Sequence, residues 1–154
     1  MKIIKLSNGI ETAVDDNLYG YLNQWNWYPA GGGYASSTIN GKTVYMHRLI
    51  MKAKRGEEVD HINSNKLDNR RVNLRLCSTR ENKMNRTISK KNNTSGFKGV
   101  VFCKRDKVWY SRIKVNYKSI HLGSFQTKEE AAKIYNIFAR RYFGKFAKLN
   151  VVII

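Results

Sequence analysis

The stretch RTISKKNNTS at residues 86–95 sets the strongest limit on how this chain can fold. Its one large apolar side chain, Ile88, cannot provide the recurring apolar face of a packed helix or strand, so the stretch reads as a basic polar linker. The 154 residues therefore divide into two parts, each suited in length to one small domain. We set the first domain at residues 1–86, the linker at 87–94 and the second domain at 95–154. Hydrophobic residues make up 42% of the chain, enough to build cores. No apolar run approaches the ~20 residues of a membrane span. Cys77 and Cys103 alone provide neither a disulfide framework nor a four-cysteine zinc site.

The first part alternates short strand patterns with turn residues. Lys2–Leu6 and Thr12–Val14 flank Ser7-Asn8-Gly9, a hairpin signal. Asp16-Asn17 opens a short helix through Leu18, Tyr21 and Leu22. Tyr34–Ile39 and Lys42–Met46 flank Asn40-Gly41, a strong hairpin dipeptide, with Trp25, Trp27 and Tyr28 as the aromatic packing. Val44, Met46, Leu49 and Ile50 read as an apolar strand; alternation makes His47 structural and leaves Arg48 to contact phosphate. Val59–Ile62 and Asn73–Leu76 follow as short strands around an Asn-rich loop, and Ser78-Thr79-Arg80-Glu81 is a capping box that opens a helix. Beyond the linker come strands at Phe97–Phe102, Val108–Val115 and Ser119–Phe125. A second capping box, Thr127 to Glu130, leads a helix with Ala131, Tyr135, Phe138 and Tyr142 on one face. The expected class is α+β: a small antiparallel sheet leading into a strand–loop–strand–helix unit, then a three-stranded sheet with one helix.

The formal net charge is +18, from 29 Lys and Arg against 11 Asp and Glu, and all of it lies after Met46. Such self-repulsion is relieved by a polyanion, and neutralising phosphates releases condensed counterions. The cations interleave with Asn, Ser and aromatics, which disfavours a membrane-surface helix. Double-stranded DNA is the expected partner, and no obligate protein partner is indicated.

The chemistry concentrates in the middle segment. Asp60 and His61 are adjacent, Asn73 follows, and Asn82 lies in the first turn of the capped helix. Strand, loop, strand and helix can bring Asp60, His61 and Asn82 to one point. A carboxylate and an amide carbonyl offer two oxygens to a hard divalent ion. A neutral imidazole can take the proton from an attacking water, and Asn73 can orient it by bonding either the ring or the backbone. This combination suits phosphodiester hydrolysis. Asn63, Asn65 and Asn69 read as turn residues without a role.

VDHINSNKLDNRRVNLRLCSTRENKMN, with YMHRLIM before it, resembles the HNH or ββα-metal nuclease motif, closest to the H-N-N form of phage homing endonucleases. The resemblance spans about residues 1–86, with the motif at about 45–86. It implies His61 as general base, Asp60 and Asn82 as metal ligands, and Asn73 as the asparagine that steadies the loop. Asn82 stands where the family name would place a second His, which favours Mg²⁺, with Mn²⁺ as the alternative, over a zinc-like set.

SGFKGVVFCKRDKVWYSRIKVNYKSIHLGSFQTKEEAAKIYNIFARRYFGKFAKLN resembles an AP2 DNA-binding domain. That family lays a three-stranded sheet in the major groove and supports it with a helix. Tyr110, Arg112 and Lys114 share one strand face, opposite Ser111, Ile113 and Val115. The resemblance implies Lys98, Trp109, Arg112, Lys114 and His121 as contacts, while Lys104, Arg105 and Lys107 read as phosphate contacts. Val101 and His121 differ from the residues common in plant members, so base preferences do not transfer. The sequence as a whole reads as a homing-type, site-selective DNA endonuclease that nicks one strand. A DNA-binding regulator with an inert nuclease motif and an RNA-binding protein are the alternatives. The N-terminal MKIIKLSNGIE lacks a signal-peptide core, so the expected location is cytoplasmic, in the host if phage-encoded.

Overall fold

The computed structural model describes residues 1–85 and 93–153, so most of the expected linker lies outside the described residues. The chain forms two compact units, Met1–Lys83 and Met84–Ile154. The first contains β1 (Lys2–Lys5), β2 (Glu11–Val14), α1 (Asp16–Leu22), β3 (Tyr28–Ala30), β4 (Tyr34–Ile39), β5 (Lys42–Tyr45), α2 (Met46–Met51), β6 (Glu58–His61) and β7 (Leu74–Cys77). Helix α3 (Thr79–Met84) follows β7. The second unit holds β8 (Val100–Cys103), β9 (Val108–Val115), β10 (Lys118–Phe125) and α4 (Lys128–Phe143).

Three antiparallel sheets build the first unit: β1–β2, β3–β4–β5 and β6–β7. The turn at Asn40-Gly41 has positive φ at both residues, which suits the right-handed twist of its strands. Ile4, Val14, Leu22, Trp27, Met46, Ile50, Val59 and Leu74 share one core. Trp27 satisfies its buried indole by donating to the Leu22 carbonyl at 2.8 Å.

The segment from Met46 departs from the expected strand. It is a helix because Met46, Leu49 and Ile50 recur at i, i+3 and i+4, and packing one face on the core outweighs the apparent alternation. Lys52 ends it in the left-handed region at φ 49°. Strand β3 was not anticipated; its Pro29 is tolerated because β3 pairs with β4 alone.

In the second unit the strand order is β8–β9–β10, all antiparallel. The first strand begins at Val100, three residues later than expected, because Gly96 and Gly99 turn the chain with φ of 78° and 76°. Thr127 and Glu130 form the reciprocal capping box at the start of α4. Ala131, Ala132 and Ala139 are fully buried, and such small side chains let α4 lie close to the sheet. Asn136 and Asn150 exchange two hydrogen bonds, and Asn150 also brackets the Lys98 backbone, accepting from its N–H at 2.6 Å and donating to its carbonyl at 3.0 Å.

Gly99 is required by space as well as by φ. A Cβ there would lie 2.2 Å from Tyr135 Cδ2 and 2.4 Å from the Arg112 carbonyl oxygen, whereas one at Gly96 meets nothing within 4 Å among the described residues. Gly96→Ala should cost only the backbone strain, ~1 kcal/mol, and Gly99→Ala at least ~3 kcal/mol. Urea unfolding followed through the NMR signals of Ser111 and Ile113 measures the difference.

Candidate active site

The hairpin β6–β7 and helix α3 hold the expected site residues. In the hairpin, Glu58 opposes Cys77, Asp60 opposes Arg75 and His61 opposes Leu74. Alternation therefore places Glu58, Asp60 and Arg75 on one face, and Val59, His61 and Leu74 on the other. Ser78 and Glu81 cap α3 reciprocally, which sets Asn82 over the first face.

On that face Asp60 is only 6% exposed and accepts from Arg75 Nε at 2.8 Å and from a terminal Arg75 nitrogen at 2.5 Å. Asn82 Nδ2 donates to Glu58 Oε2 at 2.5 Å, and this bond, ahead of one from Thr79, holds the Glu58 carboxyl below its ordinary range. Asn82 thus meets Glu58, two residues from Asp60 on the same side of β6. Neither Arg75 nor Glu58 was singled out from sequence, although period-2 alternation marks Glu58 as Asp60's neighbour.

The opposite face carries His61, which is 4% exposed. Its Nε2 lies 3.2 Å from Asn69 Oδ1. Burial pulls its imidazole below the ordinary 6.5, opposed by the Asn69 bond and the Asp60 charge, so the ring is neutral at neutral pH. Asn73 bonds the backbone and not the ring: its Nδ2 donates to the Asp68 carbonyl at 2.8 Å and its Oδ1 accepts from Asn63 N–H at 3.0 Å. The turn residues Asn63 and Asn69 are therefore structural members of the site, Asn63 also donating to Asp68 at 2.9 Å.

His47 is brought to the same side by α2. Its ring centroid lies 5.3 Å from that of His61 and 4.8 Å from that of Tyr34. Among the described residues its buried Nδ1 has no hydrogen-bond partner, and burial, then the neighbouring His61, pushes its pKa down to about 3. Lys66 places its ammonium 4.6 Å above the Tyr34 ring and donates to the Gly32 carbonyl. The strand reading hid this cluster, because Tyr34 and His47 are distant from His61 in sequence.

Among the described residues no three His, Cys, Asp or Glu side chains gather as a closed metal site. Burial pushes the Cys77 thiol up to about 11, so it offers no thiolate. The available donors beside Asp60 are oxygens, from Glu58 and the Asn82 amide. Such a set fits an open site for a hard cation completed by water and phosphate, not a structural zinc.

The expected DNA contacts separate into groups. Arg48 donates to the carbonyls of Glu57 (2.7 Å), Lys54 (2.9 Å) and Ala53 (3.5 Å), clamping the loop after α2. Lys98 donates to the Met84 carbonyl at 2.7 Å, and burial lowers its pKa to about 8. Trp109 lies on the helix-facing side of β9, packed with Phe102 and the Val100, Ala131 and Ala132 cluster, because odd positions of this strand face α4. Arg112, Lys114 and His121 are exposed on the outer face. There the Arg112 guanidinium lies 5.2 Å from the Tyr110 ring, and His121 meets the other edge of the cluster with ring centroids 5.0 Å apart. Lys104, Arg105 and Lys107 are exposed in the β8–β9 turn, with Arg105 donating to Asp106 at 2.7 Å.

A hairpin and helix that present a buried imidazole and oxygen donors around one strand end define a ββα nuclease-type site. A family model described as HNH endonuclease matches residues 44–84. An uncharacterized HNH endonuclease of Acanthamoeba polyphaga mimivirus is 34% identical over 137 residues, covering 85% of this chain and 70% of that protein. Protein 3.8 of Escherichia phage T7 is 34% identical over 96 residues, covering 62% of this chain and 78% of that protein. The chain belongs to the HNH endonuclease family.

The buried His47 links stability to pH. Its folded value, about 3, lies below the ordinary 6.5, so on acidification the unfolded chain takes up the proton first. Its contribution is complete above 6.5 and is lost as pH falls toward 3, with a slope of up to ~1.4 kcal/mol per pH unit. The stability difference between wild type and His47→Phe should change across this window and be flat above it. Urea titrations followed at Val14 and Val59 by NMR provide the check.

Proposed function

We propose that the protein is a site-selective, divalent-metal-dependent DNA endonuclease of the homing type, nicking one strand per binding event. The observation that carries this reading is the end of β6, where a buried His61 and the Asp60, Glu58 and Asn82 oxygens occupy opposite faces of one strand. A phosphodiester laid across that end meets both groups. Asp60 and Asn82 would hold Mg²⁺, or Mn²⁺, which supplies positive charge to the phosphate and the leaving 3′ oxygen. His61 accepts a proton from the attacking water as the new O–P bond forms, and the P–O3′ bond breaks to leave a 5′ phosphate and a 3′ oxygen that takes its proton from solvent. Asn73 holds the loop that carries the histidine. One such set per chain favours a nick over a double-strand break.

We assign recognition to the second unit as an AP2-like domain. A three-stranded sheet backed by one helix, with Arg112, Lys114 and His121 exposed on its outer face, supports this assignment. The phage source of one relative supports the phage-type reading. An inert nuclease motif on a DNA-binding regulator is disfavoured by the retention of Asp60, His61, Asn73 and Asn82 together. Competition between duplex DNA and RNA for the protein separates the RNA-binding alternative.

On supercoiled plasmid carrying the target, nicked circles should accumulate with Mg²⁺ and not with EDTA. His61→Ala should slow nicking by ~10²–10⁴-fold while DNA affinity stays near wild type. Wild-type cleavage by that variant would remove His61 as the base. Arg112→Ala should weaken binding by ~1–3 kcal/mol and relax preference at one position if it reads a base. Equal weakening on all sequences, with a flatter salt dependence, would place it at phosphate.

A further inference from the structure

We propose that Asn69, oriented by Thr12, fixes the His61 imidazole in the tautomer protonated at Nε2, and so acts as a positioning residue for strand cleavage. The tautomer follows from the hydrogen bonds that Asn69 makes to His61, Thr12 and Lys66; the link to cleavage rests on the reading of His61 as general base.

The orientation of the Asn69 amide is settled by its partners. Its Nδ2 faces the Lys66 carbonyl at 3.5 Å and Thr12 Oγ1 at 2.8 Å. A carbonyl oxygen only accepts, so the nitrogen end of the amide is the one turned toward it. The single Thr12 hydroxyl proton goes to the Leu67 carbonyl at 2.8 Å, a stronger acceptor than the Met46 sulfur at 3.9 Å. Thr12 Oγ1 is thereby left to accept from Asn69. The oxygen end of the amide then points at His61 Nε2, 3.2 Å away. That oxygen also only accepts, so Nε2 carries the hydrogen, and in a neutral imidazole the lone pair falls on Nδ1.

The reverse tautomer would set the Nε2 lone pair against the Asn69 oxygen. Thr12 and Asn69 are fully buried and His61 nearly so, which keeps bulk water from relieving two facing acceptors. Amide rotation at Asn69 is opposed in turn, since it would turn an oxygen toward the Lys66 carbonyl. The backbone also fixes the pair: Asn69 N–H donates to the Ala13 carbonyl and Ala13 N–H to the Leu67 carbonyl, both at 2.8 Å. The relay thus runs from β2 to the end of β6, and it assigns His61 Nδ1 as the atom that takes a proton from water. Asn69 lies outside the Asp60, His61, Asn73 and Asn82 set, and Thr12 lies 57 residues before it.

Long-range ¹H–¹⁵N NMR of the full-length protein, without DNA or added metal and at mildly alkaline pH, reads the tautomer directly. Wild type should show a protonated Nε2 and an unprotonated Nδ1 at His61. Asn69→Ala and Thr12→Val should each give mixed tautomers; Thr12→Val keeps the side-chain volume and serves if Asn69→Ala fails to fold. In nicking assays both should lower kcat by ~10–100-fold with little change in KM for DNA. A wild-type ring protonated at Nδ1, or an unmixed Nε2–H ring in every folded variant, overturns the proposal. Mixed tautomers with an unchanged kcat overturn the positioning role. His61→Ala cleaving at the wild-type rate would instead sink the general-base reading and leave the tautomer spectrum as it stands, so the two failures are distinguishable.

Discussion

The site depends on a backbone exchange between β2 and the loop that joins β6 to β7. Ala13 donates to the Leu67 carbonyl and accepts from Asn69 N–H. A loop of this length, poor in apolar side chains, has little hydrophobic reason to hold one shape. It is held instead by polar groups bonding inward. Asn73 ties Asn63 to Asp68, Arg70 makes a two-point ion pair with Asp68 at 2.6 Å, and Arg71 N–H donates to Asp15. The asparagines that make the segment look like turn filler are what let it carry a histidine in a fixed place.

Much of this was legible in the sequence, for local reasons. Strands β4 and β9 and both capping boxes follow from alternation, turn dipeptides and residue spacing, all of which act over a few positions. What local signals leave open is of two kinds. Six residues from Met46 satisfy both a strand and a helix pattern, and only the tertiary core decides between them. Trp109 shows the second kind. Its contact with DNA is what the family likeness implies, whereas alternation along β9 sets it with Ser111 and Ile113 and packs it toward α4.

The candidate site divides in the same way. Asp60, His61, Asn73 and Asn82 sit close enough in sequence for spacing to suggest that they act together. Arg75, Tyr34, His47 and Thr12 reach them through strand register and tertiary packing, which leave no short-range mark. Arg48 and Lys98 donate to carbonyls of their own units, bonds that charge counted along the sequence does not reveal.

The Asp60–Arg75 pair has a consequence for how such a protein fares in a cell. Many small metal-binding modules need their ion in order to fold, because unbalanced ligands repel one another until it arrives. Here a guanidinium already balances the buried carboxylate, across a hairpin whose other face is packed in the core. The buried carboxylate of the hairpin therefore has its counter-charge within the chain. That counter-charge is made with the chain itself, so the hairpin carries a buried carboxylate without leaving it unbalanced as the chain folds.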